Sequence, residues 1–214
     1  PDLFCATAQI FHAPGARRQE TGKAVMPFER NIDEFPVICE LPLEGEDLSY
    51  VLYGSGGCSL FDARKLKLLG GVSERYDPAY VEDLDLGYRG WQRGWPTVFA
   101  AAAKVEHLHR ATTSRYYSQH ALDRGLEIHY LLFLVSAVSS EKVFARLWNK
   151  AIGRLNHRAA QMSPEQAALA ALGRAWRMTR NAPPALMDEE KILAIGSGNV
   201  AVFPGRSASG KPVI

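Results

Sequence analysis

The stretch that decides the fold runs from Tyr80 to Arg89 and reads YVEDLDLGYR. Leu84, Tyr88 and the nearby Trp91 recur three or four positions apart, which is the spacing of one face of a helix. These three side chains are therefore predicted to form an apolar ridge that packs against the rest of the protein. The stretch predicts a helix of about three turns with one buried face.

The acidic residues of the same stretch are placed for chemistry as well as for stability. Glu82 and Asp83 fall at the predicted helix start, where the positive end of the helix dipole favours ionised carboxylates. Asp85 and Arg89 are four positions apart and are expected to pair. An ionised carboxylate on a rigid element facing a pocket is what a general base requires. Acids in a first helical turn are also a common stabilising device, so the run alone leaves both interpretations open.

Glycine-bearing segments surround this helix on both sides. Upstream, residues 54–61 read GSGGCSLF, and a short helix over 63–69 is expected to end at the glycine pair 70–71. Downstream, a strand over 97–102 leads towards His107. Motif-bearing loops therefore flank the helix before and after it.

Composition favours one folded core without a strong charge. The chain has 214 residues, of which 47% are hydrophobic and 22% charged, and this balance is typical of a globular domain. A formal net charge of +2 gives no argument for a nucleic-acid partner. The three cysteines, Cys5, Cys39 and Cys58, show no metal or redox spacing, so reduced thiols in the cytoplasm are the simplest interpretation. No apolar run reaches the roughly 18 to 20 residues of a spanning helix, and residues 128–138 are predicted to form a buried helix.

The chain divides into three predicted zones. Residues 1–110 are expected to form a mixed α/β unit that begins with a buried strand over 4–11. Residues 111–180 are expected to be a helical extension, with one helix over 141–158 and a second introduced by a capping box at Ser163. Residues 181–214 are rich in Gly, Ser and Pro and are predicted to form a loosely ordered tail.

Five short segments resemble, in order and spacing, the signature of the family 2 glycosyltransferases: GGCSLF at 56–61, LGGVSE at 69–74, EDLDLGYR at 82–89, GW at 94–95 and VEH at 105–107. The resemblance implies an α/β fold, namely the C-terminal half of a GT-A (nucleotide-diphospho-sugar transferase) mixed sheet followed by a helical extension. It implies an inverting enzyme of polysaccharide biosynthesis. Such an enzyme moves a hexosyl or deoxyhexosyl group from a nucleotide-diphospho-sugar to a hydroxyl of a glycan or lipid-linked acceptor.

The resemblance also implies a role for each matching residue. Asp83 would be the catalytic base that deprotonates the acceptor hydroxyl. His107 would help to hold a divalent metal, Mn²⁺ or Mg²⁺, on the diphosphate, and His109, on the same side of an extended segment, complicates that assignment. The remaining residues would line the two substrates: Gly56 and Gly57 the donor, and Glu82, Gly70, Gly71 and Arg89 the acceptor.

The chain departs from the family pattern in two places. Upstream of Gly54 there is no Asp-x-Asp, so the chain is expected to lack the N-terminal nucleotide-binding half and to be inactive alone. Glu127, Ile128 and His129 occur where relatives often carry an Arg-Asn pair, which weakens any inference about the acceptor. Two alternatives remain: a non-catalytic binding or scaffolding fragment of GT-A descent, and a metal-dependent hydrolase that uses the two histidines and the acidic cluster.

A basic, amphipathic helix raises the question of a membrane. Between residues 141 and 180, eight basic and two acidic residues give a local net charge of +6. Phe144, Leu147 and Trp148 lie on the apolar side of the helix predicted over 141–158. Such a helix is suited to an anionic membrane surface, which predicts peripheral contact with the inner face of the cell membrane. The alternative is that the apolar side packs on the protein and the basic side faces water.

Overall fold

The structure is a computed structural model that describes residues 3–12, 23–24, 37–38, 47–108, 111–157 and 185–201. These residues form a mixed α/β fold with a five-stranded sheet and helices packed on it. The strands are β1 (Cys5–Phe11), β2 (Lys23–Ala24), β3 (Val37–Ile38), β4 (Ser49–Val51), β5 (Ser59–Phe61), β6 (Thr97–Glu106) and β7 (Ser197–Ala201). The helices are α1 (Ala63–Leu68), α2 (Glu82–Gln92), α3 (Thr113–Tyr116), α4 (Gln119–Ala137), α5 (Glu141–His157) and α6 (Glu189–Ile195), with a 3-10 turn at Glu74–Tyr76.

The large sheet has the strand order β5-β1-β6-β4-β7. Its two longest strands, β1 and β6, run parallel, and the other pairs are antiparallel. The register of β1 against β6 shifts after Ala8, so that Gln9 pairs with Lys104. Strand β1 lies second in the sheet and is mostly buried, which explains its nearly continuous apolar sequence. The buried strand predicted over 4–11 is confirmed.

Helix α2 crosses the sheet at very short distance because two of its residues have no side chain. A Cβ atom at Gly87 would lie 2.6 Å from the Cα atom of Tyr53, and one at Gly90 would lie 2.7 Å from the ring of Phe4. Only glycine permits this approach without displacing the neighbouring chain. Gly87 and Gly90 therefore set how closely the second half of α2 packs on the segments that flank β4 and β1.

The predicted ridge of α2 is confirmed, and it joins the main core. Leu84, Tyr88 and Trp91 are buried against α4, and the indole Nε1 of Trp91 donates to the carbonyl of Val51 over 3.0 Å. The buried helix predicted over 128–138 is confirmed as the second half of α4. The helices predicted over 63–69 and 141–158 are confirmed as α1 and α5.

The apolar side of α5 is directed into the protein. Phe144, Leu147 and Trp148 are buried in the same core as α2 and α4, and the rings of Phe144 and Trp148 stack at 5.3 Å. The expectation that this apolar side rests on a membrane is therefore wrong, because packing on α4 already removes it from solvent. No helix among the described residues is both long and apolar enough to cross a membrane.

The prediction of a loosely ordered tail over 181–214 is wrong for residues 185–201. Asp188 caps the start of helix α6 by accepting from the backbone N–H of Lys191, and β7 extends the large sheet along β4. Ile192 and Leu193 are fully buried in the main core. Packing of this short apolar run in the core and pairing of β7 therefore order this part of the chain. Residues 181–184 and 202–214, and the helix predicted from Ser163, lie outside the described residues.

Candidate functional site

The segment that enters α2 has an unusual backbone. Tyr80 and Val81 have φ angles of +78° and +79°, in the left-handed region that favours glycine. For an ordinary L-residue this conformation costs roughly 1–2 kcal/mol, and for a β-branched residue it is a clear outlier. Two such residues in succession stand directly before Glu82 and Asp83. Strain of this kind persists where the surrounding structure holds it, and it is common at functional sites.

Asp83, the predicted catalytic base, is partly exposed at the start of α2. Its Oδ2 atom accepts from the backbone N–H of Gly56 over 3.3 Å, and its Oδ1 atom accepts from the N–H of Leu84 over 2.8 Å. Burial, and then the charge of Glu82, raise the pKa of Asp83 to about 7, although the two N–H groups oppose that rise. A carboxylate with a pKa near neutrality is well matched to general base catalysis.

Glu82, the neighbouring acid, has one unsatisfied oxygen. Its Oε2 atom is buried and has no hydrogen-bond partner among the described residues. Burial raises the pKa of Glu82, and the nearby His129 opposes that rise. A buried carboxylate oxygen without a donor is costly, and this cost agrees with the raised pKa of Glu82.

The loop at residues 54–58 lies between the predicted base and the predicted metal ligand. Gly56 contacts Asp83, whereas a Cβ atom at Gly57 would lie 3.5 Å from the imidazole of His107. The loop is attached to strand β1, because the N–H of Ser55 donates to Oγ1 of Thr7 over 3.2 Å. Three separate motifs of the sequence therefore meet at one end of the sheet.

Gly56 itself faces open space, since a Cβ atom there would meet nothing within 4 Å. The side of the loop above Gly56 is thus free for an approaching molecule. Gly54, by contrast, is required for packing, because a Cβ atom at Gly54 would lie 2.4 Å from Sγ of Cys5. Gly54 is thus needed for close packing, whereas Gly56, two positions later, leaves open space.

Arg89, a predicted acceptor-binding residue, is hydrogen-bonded to other residues of the protein. Its Nε atom donates to Oδ2 of Asp85 over 2.8 Å, which confirms the predicted pair. Its two Nη atoms donate to the carbonyls of Leu69 and Gly71, over 2.7 and 3.0 Å. The guanidinium therefore ties the glycine pair to α2, so that any effect of Arg89 on an acceptor acts through that loop.

Gly70 and Gly71, the other predicted acceptor-binding residues, both have positive φ, of 78° and 74°. A Cβ atom at either position would meet nothing within 4 Å. Their glycine identity is therefore required by backbone conformation rather than by close packing. The loop is exposed or nearly so, and Arg89 holds it at the flank of α2.

One residue that contacts the turn before Glu82 was not predicted as part of the site. His129 lies in the middle of α4, is 6% exposed, and places its Nδ1 atom 3.0 Å from the carbonyl oxygen of Ala79 and 3.1 Å from that of Tyr80. It therefore supports the left-handed turn from the opposite side of the core. The available signal was a histidine inside an otherwise apolar helical run, IHYLLFLV, which indicates a buried polar partner elsewhere.

The described residues do not complete a metal site. No group of three or more His, Cys, Asp or Glu side chains among them is arranged to hold a cation. His107 would offer a single nitrogen ligand, and His109 lies outside the described part of the chain. A tight site for a divalent cation takes several such ligands.

No similarity to a known protein adds to this picture. Comparisons of the chain with protein-family models, with curated proteins and with solved structures found no match. The function is therefore argued from the residue pattern and from the geometry of the site.

Proposed function

We propose that this chain is the acceptor-binding and base-bearing part of an inverting glycosyltransferase of family 2 with a GT-A fold. The reaction moves a hexosyl or deoxyhexosyl group from a nucleotide-diphospho-sugar to a hydroxyl of a glycan or lipid-linked acceptor. The observation that carries the proposal is Asp83, a partly exposed carboxylate with a raised pKa, bonded to the N–H of Gly56. The order of the sequence motifs around it is the second support.

In the proposed reaction, Asp83 removes the proton of the acceptor hydroxyl. The acceptor oxygen then forms a bond to the anomeric carbon while the bond from that carbon to the diphosphate oxygen breaks. The electron pair of the broken bond leaves with the nucleoside diphosphate, and attack from the opposite face inverts the configuration. The hydrogen bonds from Gly56 and Leu84 hold the carboxylate of Asp83 in a fixed orientation for this proton transfer.

Glu82 and the 54–58 loop complete the proposed substrate contacts. Glu82, which is partly exposed and lies next to Asp83, is placed to bind a second hydroxyl of the acceptor. The open space above Gly56 leaves room for the donor sugar. His107 would give one ligand to Mn²⁺ or Mg²⁺, and the described residues supply no further ligands for that ion. In this proposal the base Asp83, the acceptor contact at Glu82 and the space for the donor sugar above Gly56 lie next to one another.

The test uses the polypeptide encoded by the complete reading frame that contains this chain. It is incubated with UDP-, GDP- and dTDP-sugars and with membranes or glycans of the source cell, and the release of nucleoside diphosphate is measured. Asp83→Asn is expected to lower kcat by about 100- to 10,000-fold, the range typical of a lost general base, with donor binding preserved. Asp62→Asn, at the exposed cap of α1, is the matched control. Transfer at the wild-type rate by Asp83→Asn would exclude this mechanism.

The alternative of a non-catalytic binding fragment has a distinct outcome in the same assay. It predicts that no donor is turned over, while a glycan still protects the turn at residues 80–83 from amide exchange. The metal-dependent hydrolase predicts turnover without a nucleotide-sugar. Each candidate therefore leaves a different pattern across the same set of substrates.

A cytoplasmic location with peripheral contact to the inner face of the membrane is part of the same proposal. The support for membrane contact is the basic side of α5, where Lys142 and Arg146 are exposed. Lys142 also pairs with Glu190 over 2.6 Å. Binding to vesicles of anionic lipid that weakens with salt, and absence of binding to neutral vesicles, is the expected result. Equal binding to both kinds of vesicle would contradict it.

A further inference from the structure

The left-handed turn before α2 is held by a residue from a distant part of the chain. The carbonyl oxygens of Ala79 and Tyr80 both lie within hydrogen-bond distance of the Nδ1 atom of His129, 50 and 49 residues further along. Carbonyl oxygens only accept, so Nδ1 must carry the proton and donate to them. This chemistry defines the tautomer of neutral His129 without reference to the second ring nitrogen.

The imidazole is held by its surroundings in the core. His129 is buried, and its ring meets that of Tyr76 edge-to-face, with centroids 5.8 Å apart. Tyr76 is itself buried in the main core. The donor of His129 is therefore held rigidly at the turn, as a support for a strained backbone requires.

We propose that His129 is a positioning residue: it holds the left-handed turn through its Nδ1–H group and thereby aims the two carboxylates at the start of α2. Without that donor, the two carbonyls lose a buried partner, and Tyr80 and Val81 can relax out of the left-handed region. Relaxation would rotate Glu82 and Asp83 and expose both carboxylates to water. The catalytic consequence rests on the proposed function, whereas the structural role does not.

The substitutions that test this role differ in where they place a donor. The side-chain nitrogen of an asparagine is bonded to Cγ, like Nδ1 of histidine, so His129→Asn keeps a donor near the same point. The side-chain nitrogen of a glutamine is one bond further out, closer to the position of Nε2, so His129→Gln removes the donor from the turn. His129→Ala removes it altogether. Leu134→Ala, at a fully buried position of the same helix, is the control for a loss of packing alone.

Two readouts on the 214-residue chain require no enzymatic activity. Amide exchange over residues 80–85 is expected to rise about tenfold or more in His129→Gln and His129→Ala, and to stay within about threefold of wild type in His129→Asn. The titration midpoint of the Asp83 carboxyl carbon, followed by NMR, should fall in the first two variants and stay unchanged in the third. Leu134→Ala should speed exchange throughout the helices and leave that midpoint in place.

The proposal is overturned if His129→Asn is as disruptive as His129→Gln, or if both leave the exchange of the turn unchanged. If His129→Ala does not fold, the asparagine and glutamine pair still decides the question. In the complete enzyme, His129→Gln is expected to lower kcat at least tenfold with little change in the KM of the donor. A protein that proves not to be a transferase shows no turnover in any variant, while the exchange and titration results still stand.

Discussion

Two helices of this fold begin with a glutamate, α2 with Glu82 and α6 with Glu189. The two side chains differ in how well their carboxylate oxygens are supplied with hydrogen-bond donors. Glu189 is 3% exposed, and its carboxylate accepts from four groups. The donors are Nε2 of Gln92, the N–H and Oγ of Ser139, and the N–H of Ser140, at distances of 2.5 to 2.9 Å. Glu82, at the same position of its own helix, keeps a buried oxygen without any described donor.

The difference lies in what packs against each carboxylate. Glu189 faces the beginning of α5, whose free N–H groups need acceptors, and the end of α2, so that one side chain joins three helices. Glu82 faces the left-handed turn, His129 and the end of the sheet where Gly56 and Asp83 meet. The carboxylate of Glu189 therefore stabilises the fold. The carboxylate of Glu82 instead keeps one buried oxygen for which the described residues supply no donor.

Removing the satisfied glutamate is expected to have the largest effect on stability. Glu189→Ala leaves the N–H groups of Ser139 and Ser140 without their partner, and it is expected to lower the free energy of unfolding by about 3 kcal/mol. Glu190→Ala, next to it and paired with Lys142 at the surface, should cost less than about 1 kcal/mol. Urea denaturation followed by circular dichroism measures both. Equal costs for the two variants would contradict the role given to Glu189.

The carboxyl group of Asp83 at the candidate site should make the chain less stable as the pH rises. The pKa of Asp83 is raised to about 7 in the folded chain. Between about pH 4 and 7 the unfolded chain has lost this proton while the folded chain retains it, so stability falls as the pH rises through that window. Asp83→Asn removes this loss. It is therefore expected to be more stable than wild type by on the order of 2 kcal/mol at pH 8, after allowance for partial exposure, and about equal at pH 4.

Thermal unfolding of wild type and Asp83→Asn across pH 4 to 8 tests that expectation, because the difference between them isolates this one group. A difference that stays constant with pH would show that Asp83 is not strained by burial. If the stability difference grows with pH and Asp83→Asn also loses transfer, the carboxyl group of Asp83 lowers the stability of the fold while it provides activity.

The smallest expected effect concerns the coupling between the two acids. Glu82 carries a charge that helps to raise the pKa of Asp83, so Glu82→Gln is expected to lower the titration midpoint of Asp83. NMR of the Asp83 carboxyl carbon measures the shift, and Asp62→Asn, on the exposed cap of α1, should leave it unaltered. An unchanged midpoint in Glu82→Gln would mean that burial alone tunes the base.

Most of the local structure around the site was predictable from the sequence. The ridge of α2, the pairing of Asp85 with Arg89, and the end of α1 at two glycines with positive φ all depend on residues within a few positions of each other. Periodicity and glycine chemistry report such local features directly. The predicted strand over 97–102 was correct in place but short, because pairing with β1 extends it to Glu106.

The errors concern contacts between distant parts of the chain. Residues 185–201 were predicted as a tail because their composition is that of a loop, yet packing of Ile192 and Leu193 in the core and pairing of β7 with β4 order them. His129 was noted only as a departure from a family pattern. Its carbonyl partners are almost fifty residues away, and no local pattern announces such a pair.

By itself, the sequence determined which elements form and which residue types stand at their ends, since helix periodicity, capping and glycine conformation act over a few residues. It placed Asp83 at a helix start and Gly56 in a loop. Only the tertiary structure decided that these two residues touch, that Glu189 is satisfied while Oε2 of Glu82 is not, and that His129 contacts the turn before α2. Burial and hydrogen bonding across the core set those outcomes, because the cost of a buried charge depends on the groups that the fold brings to face it.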